Sequence, residues 1–204
     1  MKWIFEKMGK CGMKIFGFGI EVLASDGLRE VKRGSSGTIH YVFEDTEPVF
    51  EKRIADSRIR SYVYALGKHL ARVDGVIGDS TAKVYYYHTD QVSSVKAVTD
   101  QSGKVVYNAD YFAFGTQFVK DDDFDESHGF TGKEYDSDTG LYYYNARWYD
   151  SELGRFISEA PMGDPNNPNL YSYCANNPVH NTDPTGTRVG DNDNPQQWDG
   201  PRFS

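Results

Sequence analysis

The densest group of chemistry-bearing side chains is the acidic run Asp121-Asp122-Asp123-Phe124-Asp125-Glu126. Carboxylates at 121, 123 and 125 repeat at the interval of the first ligands in an EF-hand calcium loop. Such a loop needs a glycine at its sixth position and a glutamate at its twelfth, where Glu126 and Gly132 stand here. A solvated loop without a metal is therefore expected. His88 and Asp90 are close enough in sequence to form an acid–base pair. Neither a serine elbow nor a reactive-cysteine context accompanies them, so a hydrogen-bonded structural histidine is expected. Cys11 and Cys174 have no second Cys or His at metal spacing; two free thiols are expected, with a single bridge as the alternative.

A further group is aromatic. Tyr142, Tyr143, Tyr144 and Trp148, with Arg147 between them, could present a flat platform for a sugar ring, although strand packing is the simpler use of the same rings. Arg147 and Arg155 could bind a partner's carboxylate, or stack on tyrosine and pair with nearby aspartates. The net charge of −8 argues against nucleic acid, whose phosphates call for a basic surface. No cofactor motif is evident. The N-terminus does not read as a secretory signal, because Glu6, Lys7 and Lys10 interrupt any apolar core. The stretch 13–23 is too short to span a bilayer and carries Lys14 and Glu21.

The elements that must position these groups are strands. Fifteen tyrosines and twenty glycines in 204 residues point to aromatic strands broken by frequent turns, a mainly β chain of antiparallel hairpins. In 59–66, Tyr62, Tyr64 and Leu66 alternate with Ser61, Val63 and Ala65 at a period of two. Residues 38–43 and 69–73 also read as strands. Strands over 83–88, 92–99 and 104–112 form the clearest hairpin, turned by Asp100-Gln101-Ser102-Gly103. The unit Tyr-Asp-Ser-x-x-Gly occurs at 135–140 and again at 149–154. Each copy predicts a strand ending in Tyr, an Asp that bonds the turn backbone, and a Gly in the left-handed region, bracketing one strand over 141–149. Such a unit cannot bury its apolar face alone and must stack on neighbours. Residues 1–37 lack tyrosine and predict one or two short strands, with 32–37 as a loop. Beyond Ile157 the chain is rich in Pro and Asn and predicts irregular structure with a short strand over 170–173. The polar stretch 187–204 predicts a disordered tail.

Taken in order, several segments resemble the Rhs repeat-associated core of YD-repeat proteins. They are Tyr86-Tyr87-His88-Thr89-Asp90 leading to Val98-Thr99-Asp100 and Gly103; Tyr111-Phe112-Ala113-Phe114-Gly115; Phe130-Thr131-Gly132-Lys133-Glu134-Tyr135-Asp136; Thr139-Gly140-Leu141 through Trp148-Tyr149-Asp150; Gly154-Arg155-Phe156; Asn169-Leu170-Tyr171-Ser172-Tyr173; Asn176-Asn177-Pro178; and Asp183-Pro184-Thr185-Gly186. The resemblance divides the chain into a poorly matched segment 1–37, YD-repeat-like strands over 38–82, the core over 83–186 and the tail 187–204. It implies part of a spiralling β-sheet shell that encloses a variable C-terminal domain, often a toxin. It also implies a secreted or cell-surface setting, and other YD-repeat chains, a surface glycan or a protein as partners. A chain of this length is expected to leave sheet edges open.

Many members of that family cleave themselves with two aspartates in paired D-P-x-G units. The resemblance puts the second at Asp183 and the first at Ala160, within Ala160-Pro161-Met162-Gly163, where alanine cannot take a proton. Asp164 is a candidate substitute, and Glu159 stands just before. Thr187 occupies the position where self-cleaving members carry a large apolar residue. The expected function is a structural, encapsulating segment without enzymatic activity. A glycan- or protein-binding module using Trp148, Tyr142, Tyr144 and Arg147, and a residual aspartic self-protease, are the alternatives.

Overall fold

A computed structural model describes residues 6–8, 11–16, 19–24, 27–120, 124–161, 168–187 and 190–191. Twelve strands follow one another along the chain: β1 (Glu6–Met8), β2 (Cys11–Phe16), β3 (Gly19–Leu23), β4 (Arg29–Gly34), β5 (Gly37–Glu44), β6 (Glu47–Arg53), β7 (Arg58–Ala65), β8 (Lys68–Val76), β9 (Lys83–Thr89), β10 (Val95–Asp100), β11 (Val105–Tyr111) and β12 (Gln117–Lys120). Each pairs antiparallel with the next, so one meander sheet carries them in sequence order. Its two faces follow the pleat. Ile39, Tyr41, Arg60, Tyr62, Tyr87, Val98, Tyr107 and Ala109 point to an inner, buried face, while Val42, Val63, Leu70, Tyr86 and Val105 remain exposed on the other.

After β12 the chain returns across the inner face. A single 3-10 turn, Phe130–Gly132, leads into a second sheet of β13 (Glu134–Asp136), β14 (Leu141–Tyr144), β15 (Arg147–Asp150) and β16 (Arg155–Phe156). A left-handed turn at Cys174–Asn176 and a two-strand ladder of β17 (Asn181–Thr182) and β18 (Gly190–Asp191) complete the described chain. Among the described residues no helix is long and apolar enough to cross a membrane.

The tyrosine–aspartate–glycine turns form as their residues dictate. Asp136 Oδ1 accepts the Asp138 N–H at 2.9 Å, and Asp150 Oδ1 accepts those of Glu152 and Leu153, each at 2.9 Å. Gly140 (φ 74°) and Gly154 (φ 65°) take the left-handed conformation that a side chain disfavours. Four sequence expectations need correction. Residues 141–149 are two strands, because Asn145 adopts φ 57° and turns the chain between Tyr144 and Arg147. The N-terminal segment carries four strands that continue the large sheet, and within 32–37 only Ser35 and Ser36 form a turn. β6, which sequence reading had not marked, fills the place between β5 and β7. Residues 170–173 form a turn with one bridge, Ser172 to Arg155. Of the expected tail, 188–189 and 192–204 lie outside the described residues.

The two sheets share a core of rings. Phe130, Tyr142, Tyr144, Tyr149, Phe156, Tyr173 and Cys174 are buried together. Tyr87, Val95, Val98, Tyr107 and Ala109 form a second group under the large sheet, and Tyr111 touches both. Burying each such ring stabilises the fold by about 1.5–3 kcal/mol. Gly115 lets Phe130 seat against the Phe112–Thr116 turn, since a Cβ there would meet the Phe130 ring.

Candidate functional site

The inner face of the large sheet should be apolar, yet between β4 and β9 it is charged. Arg29 and Lys32 on β4, Glu51 on β6, Arg60 on β7, and His69 and Arg72 on β8 are all buried. They receive one strip of chain, 124–136, which carries Asp125, Glu126, His128, Glu134 and Asp136. The seam between strip and sheet is a ladder of ion pairs, and buried charge persists only when paired and hydrogen-bonded in this way.

At one end Glu134 meets Arg29 and, at 3.4 Å, Lys32, whose Nζ also lies 3.1 Å from Asp136. The Arg29 guanidinium sits between the rings of Tyr41 and Tyr143, at 4.5 and 4.3 Å from their centroids. Burial pushes the Glu134 carboxyl up, but Arg29, Lys32 and His128 outweigh it and hold the group at about 2. At the other end Glu126 accepts from Arg72 at 2.9 Å and from the Tyr87 hydroxyl at 2.6 Å. Against the cost of burial, the Arg72 charge and the contacts of His128 keep Glu126 well below the carboxylate range. Further out, Asp125 is held by Arg60 at 2.6 Å and Arg53 at 3.1 Å. The acid nominated for a calcium loop is therefore spent on arginines. Asp121 and Asp123 lie outside the described residues, and among the described residues no cluster of metal-ligating side chains is present.

In the middle of the seam stand two histidines. His69 stacks on Tyr87 at 3.8 Å and on Tyr64 at 4.7 Å, and meets Tyr62 and His128 edge-on at 5.0 and 5.2 Å. Among the described residues no hydrogen-bonding group reaches either of its ring nitrogens. His128 accompanies Glu126, with Nδ1 3.4 Å from its carboxylate.

The residues read from sequence as a possible self-cleavage site gather at a second place. Asp183 is fully buried. Arg147 donates to Asp183 Oδ2 at 2.8 Å, to the Leu170 carbonyl at 3.1 Å and to the Gly186 carbonyl, while lying over the Phe156 ring. The Thr187 N–H reaches Asp183 Oδ1 at 3.1 Å. The Ala160 N–H donates to that same Leu170 carbonyl at 2.9 Å. Ala160 and Arg147 therefore share one acceptor, the Leu170 carbonyl, and the side chain of Ala160 is a methyl group. Glu159 turns outward to the Tyr171 hydroxyl, and Asp164 lies outside the described residues. What remains can close the turn 183–187 and hold it to β15; the base that would activate water is not supplied by Ala160.

The aromatic platform is corrected by burial. Tyr142, Tyr144, Trp148 and Arg147 are at most 3% exposed, so they build the interior and offer no open face to a sugar. His88 bonds Thr99 on the outer face, and Asp90 caps the Val92 and Ser94 N–H groups, so they form no acid–base pair. Cys174 is a buried free thiol whose pKa burial pushes up, which makes it unreactive. Sequence reading missed the seam itself. The one available signal was the pair of acids in Glu134-Tyr135-Asp136, which occupy alternate positions of a strand and so share one of its faces.

A meander closed by an internally docked strip is the geometry against which known proteins can be compared. The Teneurin YD-shell family matches residues 55–179, well over half of the chain. The chain belongs to the Teneurin YD-shell family. Among YD-shell relatives, Double-stranded DNA deaminase toxin A of Burkholderia cenocepacia is 33% identical over 168 residues, 73% of this chain. The tRNA3(Ser)-specific nuclease WapA of Bacillus spizizenii is 33% identical over 170 residues, 78% of this chain. The matches span only 12% and 7% of those two proteins. The crystal structure of TcdB2-TccC3 without its hypervariable C-terminal region superposes on 87% of the chain with a TM-score of 0.68 at 20% identity, and shows the same YD-shell fold over 10% of its own length.

Proposed function

We propose that this chain serves as a closing segment of a toxin-associated YD shell, a wall element whose residues bind and enclose without carrying out catalysis. The observation that carries the reading is the seam: a strip of acids sealed onto the inner face of the sheet by Arg29, Lys32, Arg60 and Arg72. Sealing of that kind suits a partition between compartments better than a cleft for substrate. The names of those relatives, a deaminase and a nuclease, belong to whole proteins of which the matched stretches are only 12% and 7%. Other YD-repeat chains are the natural partners, because among the described residues β1 and β12 are each paired on one side and can accept a further strand, and the setting is the cell surface or beyond.

Self-cleavage is tested by intact mass spectrometry. The chain is expected to keep its full mass over days at neutral pH, because Asp183 is committed to Arg147 and the Thr187 N–H. Spontaneous appearance of a fragment ending near Gly186 would overturn the non-catalytic reading. Ala160→Asp is the matched probe: it restores a carboxyl at the position the resemblance assigns to the first acid, and a fragment in that variant alone would identify the missing acid as the reason for inactivity.

A further inference from the structure

We propose that the seam between strip 124–136 and the sheet is an acid-opened latch, with His69 as its trigger. This goes beyond the closing role and stands independently of the cleavage question, since it needs only the geometry of the seam. His69 is 3% exposed, flanked by the faces of Tyr64 and Tyr87, and edged by Tyr62 and His128. Every other cationic side chain in the seam has an acidic partner: Arg29 and Lys32 have Glu134, Arg60 has Asp125, Arg72 has Glu126, and His128 has Glu126. His69 alone among them lies against rings and a second imidazole. The closed seam therefore has no place for a proton on His69, whereas an opened seam gives the ring to water.

The sign follows group by group. Burial, then the neighbouring His128 and Arg72, lower the His69 pKa well below its usual 6.5, and Glu126 only partly opposes them. A group depressed in this way weakens the closed state as the pH falls from 6.5 toward its own folded value, because the open state binds the proton first. His128 is raised: burial works against the charge, but the hydrogen bond and charge of Glu126, with Glu51 and Glu134, prevail. Its stabilisation is complete below 6.5 and is lost only as the pH rises through its folded value, so it does not act in the same window. Glu51 is pushed up by burial and by Glu134, and takes up a proton in the closed state above 4.5; it opposes opening. Glu126 and Glu134 are depressed and change only below 4.5. Burial works against the Asp125 charge but Arg60 and Arg53 prevail and depress it, and Asp74, Asp136 and Glu47 face Arg72, Lys32 and Lys133 in ion pairs; Arg29, Lys32, Arg60, Arg72 and the tyrosines 41, 62, 64 and 87 hold their protons throughout this range.

Between pH 7.5 and 5.0 one proton taken up by the opened imidazole can change the opening equilibrium by at most about thirty-fold. Hydrogen exchange of the whole chain, followed by mass spectrometry at pH 7.5, 6.5 and 5.0 and corrected for the intrinsic exchange rate, reads this directly over 126–136. The opening constant is expected to rise several-fold to about thirty-fold toward pH 5.0. His69→Phe fills the same stack without a titrating nitrogen and is expected to flatten the response. Glu51→Gln removes the opposing group and should steepen it, which keeps the test decisive if the phenylalanine variant folds poorly. A flat response in the unmodified chain, a His69→Phe response as steep as the unmodified one, or a Glu51→Gln response no steeper, would each overturn the latch.

Discussion

The two interfaces that join the small sheet to the large one are built from opposite materials. One is the ring cluster of Phe130, Tyr142, Tyr144, Tyr149, Phe156 and Tyr173, against which Tyr111 of the large sheet packs, and in which Tyr149 and Tyr173 approach to 4.5 Å and Phe156 meets Tyr144 at 89°. The other is the charged seam. Apolar contact is nearly blind to pH and ionic strength, whereas a buried ion pair offsets a large desolvation cost and collapses when one partner is removed. The aromatic side therefore acts as a fixed hinge of constant strength, and the seam is where conditions can alter the closure.

Paired deletions break this comparison most strongly. Phe130→Ala and Arg29→Ala are each expected to cost about 3–5 kcal/mol in urea unfolding at pH 7, the first by cavity formation and the second by leaving Glu134 buried beside a diminished set of cations. Their acid behaviour should differ. Glu134 contributes stability that is complete above 4.5 and lost as the pH falls toward about 2. The deficit of Arg29→Ala should shrink across that interval while that of Phe130→Ala persists; equal narrowing in both would show that the interfaces are not distinct. A smaller effect is expected inside the ring cluster. The Tyr144 hydroxyl lies 2.6 Å from that of Thr131 and 3.3 Å from that of Tyr173, so Tyr144→Phe should lower stability by about 1–2 kcal/mol without altering the pH profile. The smallest belongs to the rim. Arg53 bonds the half-exposed Asp125, and Arg53→Ala should cost less than about 1 kcal/mol, a difference that 1 M salt largely removes.

How far the sequence could reveal this arrangement follows the same division. The hairpins were legible because their determinants are local: Asp100, Asp136 and Asp150 cap backbone N–H groups two to four residues away, and alternation marks β7 within its own eight residues. The turn at Asn145 was hidden inside an unbroken run of strand formers, and only the tolerance of asparagine for positive φ hinted at it. The seam was not legible. Arg29 and Glu134 are 105 residues apart, and a lone arginine in a strand reads as an outward-facing residue because buried charge is rare. The four N-terminal strands were obscured for the same reason, since β4 turns Arg29 and Lys32 inward where an apolar pattern would have announced a core. Of the residues carried over from the family's cleavage motif, Ala160 shares one acceptor, the Leu170 carbonyl, with Arg147, and Arg147 in turn bonds Asp183.

The sequential order of the large sheet has a kinetic meaning. Because every strand from β1 to β12 pairs with the one just made, the wall can be assembled in the direction of synthesis by short loop closures, each cheap in chain entropy. The return of 124–143 to β4 and the turn after it bridges a hundred residues and more, and it requires the receiving strands to be in place already. The seam therefore closes late in folding, after the strands that receive it, and a wall built in this order is complete only when the strip has docked.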